Sequence, residues 1–410
     1  MNLGIFAWKS LGRSPVRTAF KAISIGAITA IMLVWGCLNA GLSNLLQATA
    51  TSFEIGEFQL HAPGYLRNPD IYATLDHAEA WQEALLNDGF LSAPRLYGSA
   101  LAAASSLSAG VQVRGLDLER EAHVTRIGRF IDSGNWLTKT TPNGVVIGKL
   151  LARHLHLQPG QEMVLLAQAA DGSFANTVFQ VVGILKSVNS EIDNRAVYIQ
   201  EAAFREFFLI EKGIHELAIS RVDQDQPFTT AELRLRQLVA KPDLGNELKS
   251  WRQLKPLLAK IIDLLAVSAN FIFIFIYLAL GGLILNMTFM SIYDRRREFG
   301  TMQALGMGPG QMVLLILAEA GWKSLLSAGV ATLLGLPLAF YLARTGLDLS
   351  LMVDHLSVSG INLEPIIYPQ ITVINVIKPI AFMMSSQLLF AIFPGMEISA
   401  MVPVEALSPH

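Results

Sequence analysis

Two stretches of this sequence, residues 22–46 and 264–290, run for 25 and 27 residues without one Asp, Glu, Lys or Arg. At 1.5 Å of rise per residue, each is long enough as a helix to cross a hydrocarbon core of about 30 Å. Two further apolar stretches, residues 312–343 and 371–396, are broken only by Glu319 and Lys323 in one and by Lys378 in the other. A backbone in hydrocarbon satisfies its own amides only as a helix or a closed barrel, so these lengths predict four membrane-spanning helices. Composition agrees, with 16% charged residues against roughly 25% in ordinary globular chains. Lys9, Arg13, Arg17 and Lys21 precede the first stretch and Ala48-Thr49-Ala50 follows it, as around a cleaved leader. The apolar run is nevertheless far longer than a leader's hydrophobic region and reads as a retained span.

Basic residues beside the spans set the expected orientation. The first 21 residues carry four Lys/Arg and no acid, and the loop after the second span carries Arg295, Arg296 and Arg297. The connection between the third and fourth spans has Arg344 among Asp348, Asp354 and Glu364. Both termini are therefore expected in the cytoplasm. The organisation expected is a basic amphipathic N-terminus (1–21), spans at 22–46, 264–290, 312–343 and 371–396, an extracytoplasmic insert (47–263), a cytoplasmic loop (291–311), an outer connection (344–370) and a cytoplasmic tail (397–410). Glu319 and Lys323 stand four apart, on one helix face, as a structural or interfacial pair or as an intramembrane functional element. Pro379 is expected to bend the fourth helix, and Lys378 to reach the interface.

The insert reads as α+β. Short β-rich runs at 111–114, 145–147, 163–166, 177–185 and 196–199 are separated by turn signals such as Thr141-Pro142-Asn143-Gly144, Gln158-Pro159-Gly160 and Asp171-Gly172. Helices are expected at 77–86, 149–156, 201–208 and 231–240, the last with Thr229 and Glu232 at capping-box spacing.

Several chemistries find no support. A balance of 31 Lys/Arg against 33 Asp/Glu provides no field for nucleic acid. The single Cys37 excludes an internal disulfide and a cysteine-based zinc site. No phosphate-binding loop, nucleophile elbow or zincin motif occurs. His154 and His156 share a face only in a strand and lack further ligands. No catalytic or metal-binding residue is expected.

The informative stretch is Ser291-Ile292-Tyr293-Asp294-Arg295-Arg296-Arg297-Glu298-Phe299-Gly300-Thr301-Met302-Gln303-Ala304-Leu305-Gly306-Met307. Phe299, Met302 and Leu305 recur at threes, giving a short helix one narrow apolar stripe, and Gly306 supplies a stop. Such a helix either docks into a partner's groove or lies in the interface while its arginines enforce topology.

Tyr293 to Met307 resembles the loop after the second span in permeases of the MacB/FtsX/LolCE-like superfamily of ABC transporters. Leu11-Gly12-Arg13-Ser14-Pro15-Val16-Arg17-Thr18 is similar to that family's basic approach to its first span, and Pro403-Val404-Glu405-Ala406-Leu407 to its ending. Within the insert, the runs beginning Val113-Arg114-Gly115-Leu116, Asn143-Gly144-Val145-Val146 and Phe179-Gln180-Val181-Val182, and Ser190-Glu191-Ile192-Asp193-Asn194, resemble the extracytoplasmic domain of lipoprotein-releasing permeases. The resemblance implies four transmembrane helices with a large α+β domain between the first and second, in a bacterial inner membrane. It implies a non-catalytic subunit that binds no cofactor, paired with a second copy or a sister permease on two ATPase subunits that hold ATP and Mg. Asp294, Arg295, Arg296, Arg297, Glu298, Phe299, Gly300, Met302, Leu305 and Gly306 would couple to the ATPase, and Phe299→Asp would uncouple hydrolysis from transport by charging the docking surface. The implied cargo is a lipoprotein, passed to a periplasmic carrier, with Leu42, Leu45, Leu46, Leu264 and Leu265 as an acyl-chain surface. The alternatives are a MacB-like peptide or drug exporter and an FtsX-like regulator of cell-wall hydrolases.

Overall fold

The computed structural model describes residues 3–12, 15–187, 189–223, 226–240, 246–348, 356–358, 361–363 and 366–399. Arg13, Ser14, Asp354, Glu364 and the closing run Pro403-Val404-Glu405-Ala406-Leu407 lie outside the described residues. The chain begins with α1 (Leu3–Leu11) and α2 (Pro15–Ala50). There follow β1 (Phe58–His61), α3 (Ala78–Asn87), β2 (Phe90–Ala104), β3 (Leu107–Leu116), α4 (Leu118–Val124), β4 (Ile131–Gly134), β5 (Gly144–Ile147), α5 (Lys149–His154), β6 (Glu162–Gln168) and β7 (Phe174–Leu185). Next come α6 (Ser190–Arg195), β8 (Ala196–Gln200), α7 (Glu201–Phe208), β9 (Glu216–Arg221), α8 (Phe228–Val239), β10 (Glu247–Ser250) and α9 (Trp251–Leu254). The last part comprises α10 (Pro256–Tyr293), α11 (Arg296–Ala304), α12 (Pro309–Thr345), β11 (Leu347–Asp348), β12 (Leu356–Val358), β13 (Ile361–Leu363), β14 (Ile366–Ile367) and α13 (Val373–Ser399). Two compact units result, one of residues 1–45, 262–353 and 365–410, the other of residues 46–261 and 354–364.

In the first unit, α2, α10, α12 and α13 are long and apolar enough to span a membrane. Each is longer than the apolar run that announced it, because a helix continues through the interface where charged residues are tolerated. The fourth starts at Val373 rather than at residue 371, and the Thr372 hydroxyl accepts a hydrogen bond from the Asn375 amide at 3.4 Å. Pro379 and Pro394 both lie inside α13. Small residues let helices approach closely. A Cβ on Gly26 of α2 would fall 2.7 Å from Val330 Cβ and 2.8 Å from the Ser327 carbonyl of α12. Along the same pair of helices, Gly335 faces the backbone of Ala30.

The second unit is α+β; β12 pairs with β13 apart, and β1 to β10 belong to one ten-stranded sheet with an unusual path. The pairings β2–β3, β3–β8, β8–β5, β5–β7, β7–β6 and β6–β2 close into a ring. Closure is possible because β2 is 15 residues long. Its Leu101–Ala103 stretch pairs with β6, while residues 90–95 pair with β9 and lead on to β1 and β10. The alternating inward residues of the ring, among them Val113, Ile147, Leu165, Phe179 and Val197, form one core with Phe204, Phe207 and Phe208 of α7. Gly98 and Gly115 leave room for these rings, since a Cβ at Gly98 would lie 2.5 Å from Phe208 Cζ. A second core joins β1, β2 and β9 to Trp81 and Leu85 of α3 and to Leu235 of α8. Helix α8 begins at Phe228 after Pro227, so Thr229 and Glu232 sit inside it instead of forming the expected capping box. Glu232 pairs with Arg236 at 2.7 Å.

A buried ionic group ties these layers together. Arg95 of β2 donates to both carboxylate oxygens of Glu121 on α4, at 3.0 and 2.7 Å, and to Glu216 of β9 at 2.7 Å. Tyr97 donates its hydroxyl to Glu216 at 3.0 Å, and burial together with that carboxylate pushes the phenol well above its usual pKa. Nearby, the Tyr97 amide donates to His215 Nδ1 at 2.9 Å, so the imidazole proton is on Nε2, which donates to the Ile71 carbonyl at 2.9 Å. Burial holds His215 below the ordinary value of 6.5.

Two outcomes are expected. The unfolded chain binds a proton at His215 below about pH 6.5 while the folded chain resists it, so this contribution to stability is complete above that pH and lost as pH falls. Hydrogen-exchange protection of the Tyr97 amide, corrected for intrinsic rate, should fall with it. In the membrane unit, Gly26→Ala should cost about 1–3 kcal/mol by overpacking. Gly282→Ala, where a Cβ meets nothing within 4 Å, should be neutral or slightly stabilising, as detergent thermal unfolding would report.

Candidate functional site

The stretch singled out by the sequence folds as α11, held between α10 and α12. Its start is fixed by charge. Arg295, the residue before the helix, donates to Glu319 of α12 at 2.8 Å and to Glu298 at 3.0 Å. Glu319 is the expected partner of Lys323, at 3.6 Å, but it also accepts from the Ser10 hydroxyl of α1 at 2.7 Å. One carboxylate thus gathers α1, α12 and the approach to α11. Trp322 reinforces the junction by donating to the Gly4 carbonyl at 3.1 Å and packing against Trp8. Asp294 pairs with Arg17 of α2. The helix ends as expected, with Gly306 at φ +94°, a conformation that favours glycine.

The apolar stripe does not face outward as a whole. Phe299 is 1% exposed and packs with Ala7, Ile292, Met312 and Leu315, with Met302 against the same cluster. The Arg295 guanidinium lies 5.1 Å from the Phe299 ring centroid. Gly300 is buried too, and Gln303 donates to the Ile398 carbonyl of α13 at 3.3 Å. Phe299 and Gly300 are therefore anchors within the chain, and the expectation that Phe299→Asp would charge a docking surface is corrected: it would charge this chain's own core. What α11 presents is Arg297, Thr301 and Ala304, followed by Leu305, whose side chain is 85% exposed. Thr301 and Ala304 escaped the sequence reading because apolar periodicity marks the inward side. Ser10 escaped it because nothing local links it to Glu319.

The five leucines proposed for acyl chains are not alike. Leu46 is buried, Leu42, Leu45 and Leu265 are half-buried, and Leu264 is 66% exposed. Among the described residues, no group of three or more His, Cys, Asp or Glu is placed to hold a metal ion.

Glu319→Ala leaves Arg295 and Lys323 without their shared counter-charge and should cost about 3 kcal/mol. A double-mutant cycle with Arg295→Met, read by thermal unfolding of the detergent-solubilised chain, should recover part of that loss.

Residues 22–238 match the family described as MacB-like periplasmic core domain, and residues 270–403 match the FtsX-like permease C-terminal family. The lipoprotein-releasing system transmembrane protein LolE of Haemophilus influenzae is 21% identical over 312 residues, covering 73% of each chain. An ABC transporter permease of Methanocaldococcus jannaschii is 24% identical over 218 residues, covering 52% of each. Among solved structures, the periplasmic region of MacB from Actinobacillus actinomycetemcomitans is 13% identical with a TM-score of 0.37, covering 49% of this chain and 92% of that one. The extracellular domain of the ABC-type transporter YknZ from Gram-positive bacteria is 14% identical with a TM-score of 0.34, covering 47% and 99%.

Proposed function

The chain belongs to the ABC transporter permeases of the MacB/FtsX/LolE type, and we propose that α11 seats on a separate ATP-hydrolysing subunit through Arg297, Thr301, Ala304 and Leu305. The observation that carries this reading is an exposed leucine, Leu305, at the end of a helix whose opposite side is locked into its own chain by Phe299 and Arg295. A solvated loop has no reason to hold an apolar side chain outward on so rigid a base, whereas a groove on a partner does. In this reading α11 and both termini lie in the cytoplasm and the MacB-like domain in the periplasm, which the basic residues before α2 and between α10 and α12 support. Two permease copies, or this chain and a sister, work on two ATPase subunits that hold ATP and Mg. This chain itself performs no catalysis. Closure of the ATPases moves α11, and the movement passes along α2 and α10, the helices within which the chain leaves one unit for the other.

The cargo in this reading is a lipoprotein drawn from the outer leaflet of a bacterial inner membrane and handed to a periplasmic carrier. The name of the Haemophilus influenzae relative supports it. Its acyl chains lie against Leu264 with Leu42, Leu45 and Leu265.

Mild-detergent purification of the tagged chain, with mass spectrometry of what accompanies it, tests both parts. An ATPase should be recovered with wild type and at least about tenfold less with Leu305→Asp, as for loss of a buried interface anchor; undiminished recovery with that variant would refute the docking surface. Lipoproteins or a lipoprotein carrier should come down on the other side. A periplasmic adaptor or a hydrolase activator in their place would transfer the chain to the exporter or regulator branch of the family.

A further inference from the structure

The end of the membrane unit that carries α11 contains a cleft of about 390 Å³, lined by Arg17, Lys21, Arg295 and Lys323 and by only two carboxylates, Asp294 and Glu298. The cations are not equally committed. Arg17 is paired with Asp294, and Arg295 and Lys323 share Glu319. Lys21 has no carboxylate partner among the described residues. Its ammonium makes one hydrogen bond, to the Met287 carbonyl at 2.8 Å. An ammonium has three donors, so Lys21 retains capacity for an anion. Lys323 lines the same cleft from α12. Two lysines on one small cleft repel each other, and an anion accepted by both removes that cost.

The remaining wall decides which kind of anion fits. Met287 and Met290 line the cleft, and Met290 is 65% exposed, so cations and a lipid-facing apolar surface meet at one end of the spanning helices. A headgroup phosphate beside two acyl chains presents the complementary pair of surfaces. We infer that this cleft binds a phosphate group, supplied by an anionic phospholipid of the adjoining leaflet, with Lys21 and Lys323 as its principal donors, Arg17 at its mouth and an acyl chain along Met290. Arg295 and Asp294 line the same cleft and lead into α11, so the bound headgroup adjoins the residues that fix the start of that helix. The inference rests on the membrane-spanning reading of the helices and is independent of the cargo.

The test uses the full chain, purified in mild detergent and exposed in separate arms to phosphatidylglycerol, phosphatidylcholine and inorganic phosphate. Native mass spectrometry should show a single phosphatidylglycerol retained by wild type and no phosphatidylcholine. Lys21→Gln should retain about fivefold less, the effect of one interfacial lysine on an anionic lipid. Lys21→Arg should behave as wild type, and so should Arg344→Gln, which removes an exposed cation near the other end of α12. Inorganic phosphate that raises the melting temperature of wild type but not of Lys21→Gln, with no lipid retained, would support the phosphate site and assign it to the free ion. Equal retention of the two lipids by wild type, or equal phosphatidylglycerol retention by wild type and Lys21→Gln, would overturn the inference. ATPase recovery is followed in the same preparations and should be unchanged in Lys21→Gln, so a failed lipid site and a failed docking surface give different results.

Discussion

A carboxylate among apolar helices remains an anion only if cations and hydrogen-bond donors are brought to it, and the arrangement around α11 follows from that demand at Glu319. Arg295, Lys323 and Ser10 all reach it. Their convergence fixes α1 against α12 and sets where α11 starts. With Arg295 held, its guanidinium covers the ring of Phe299, and Phe299 enters the core. The outward set of Arg297, Thr301, Ala304 and Leu305 is what remains of a short helix once that side is committed. An acid that looks like an isolated oddity in a hydrophobic run is thus part of the foundation on which the outward face of α11 rests.

The chain declares its spans because hydrocarbon imposes a length and excludes charge, and both are visible in any window of sequence. It conceals what depends on distant residues. Glu319 and Lys323 could be paired on paper from their spacing, but Arg295 and Ser10 lie outside α12 and no local pattern points to them. The repeat of Phe299, Met302 and Leu305 correctly indicated a helix with one apolar stripe. It could not tell whether that stripe sought a partner or the chain's own interior, and the structure divides it, burying Phe299 and exposing Leu305.

The extracytoplasmic half shows the same division. Strand positions at 145–147, 163–166 and 196–199 were legible from short β-rich runs and the turn residues between them. Ring closure was not, because β6, in a local hairpin with β7, also pairs with β2 across a long stretch of chain, and such partners leave no local trace. Local signals also yielded to context at Thr229 and Glu232, where α8 is capped at Pro227, two residues before the Thr229 that the capping pattern suggested.

Ring closure also determines what the sheet leaves available to other chains. Six strands satisfy one another around the ring, and β2 carries the sheet onward through β9 and β1. Among the described residues its open margins are reduced to β10 and β4, each four residues long, with Glu247 and Lys249 on one and Asp132 on the other. Short, charged margins are poor templates for strand addition. A domain built this way can be concentrated on a crowded membrane surface, copy beside copy, without its sheets fusing into a common fibre.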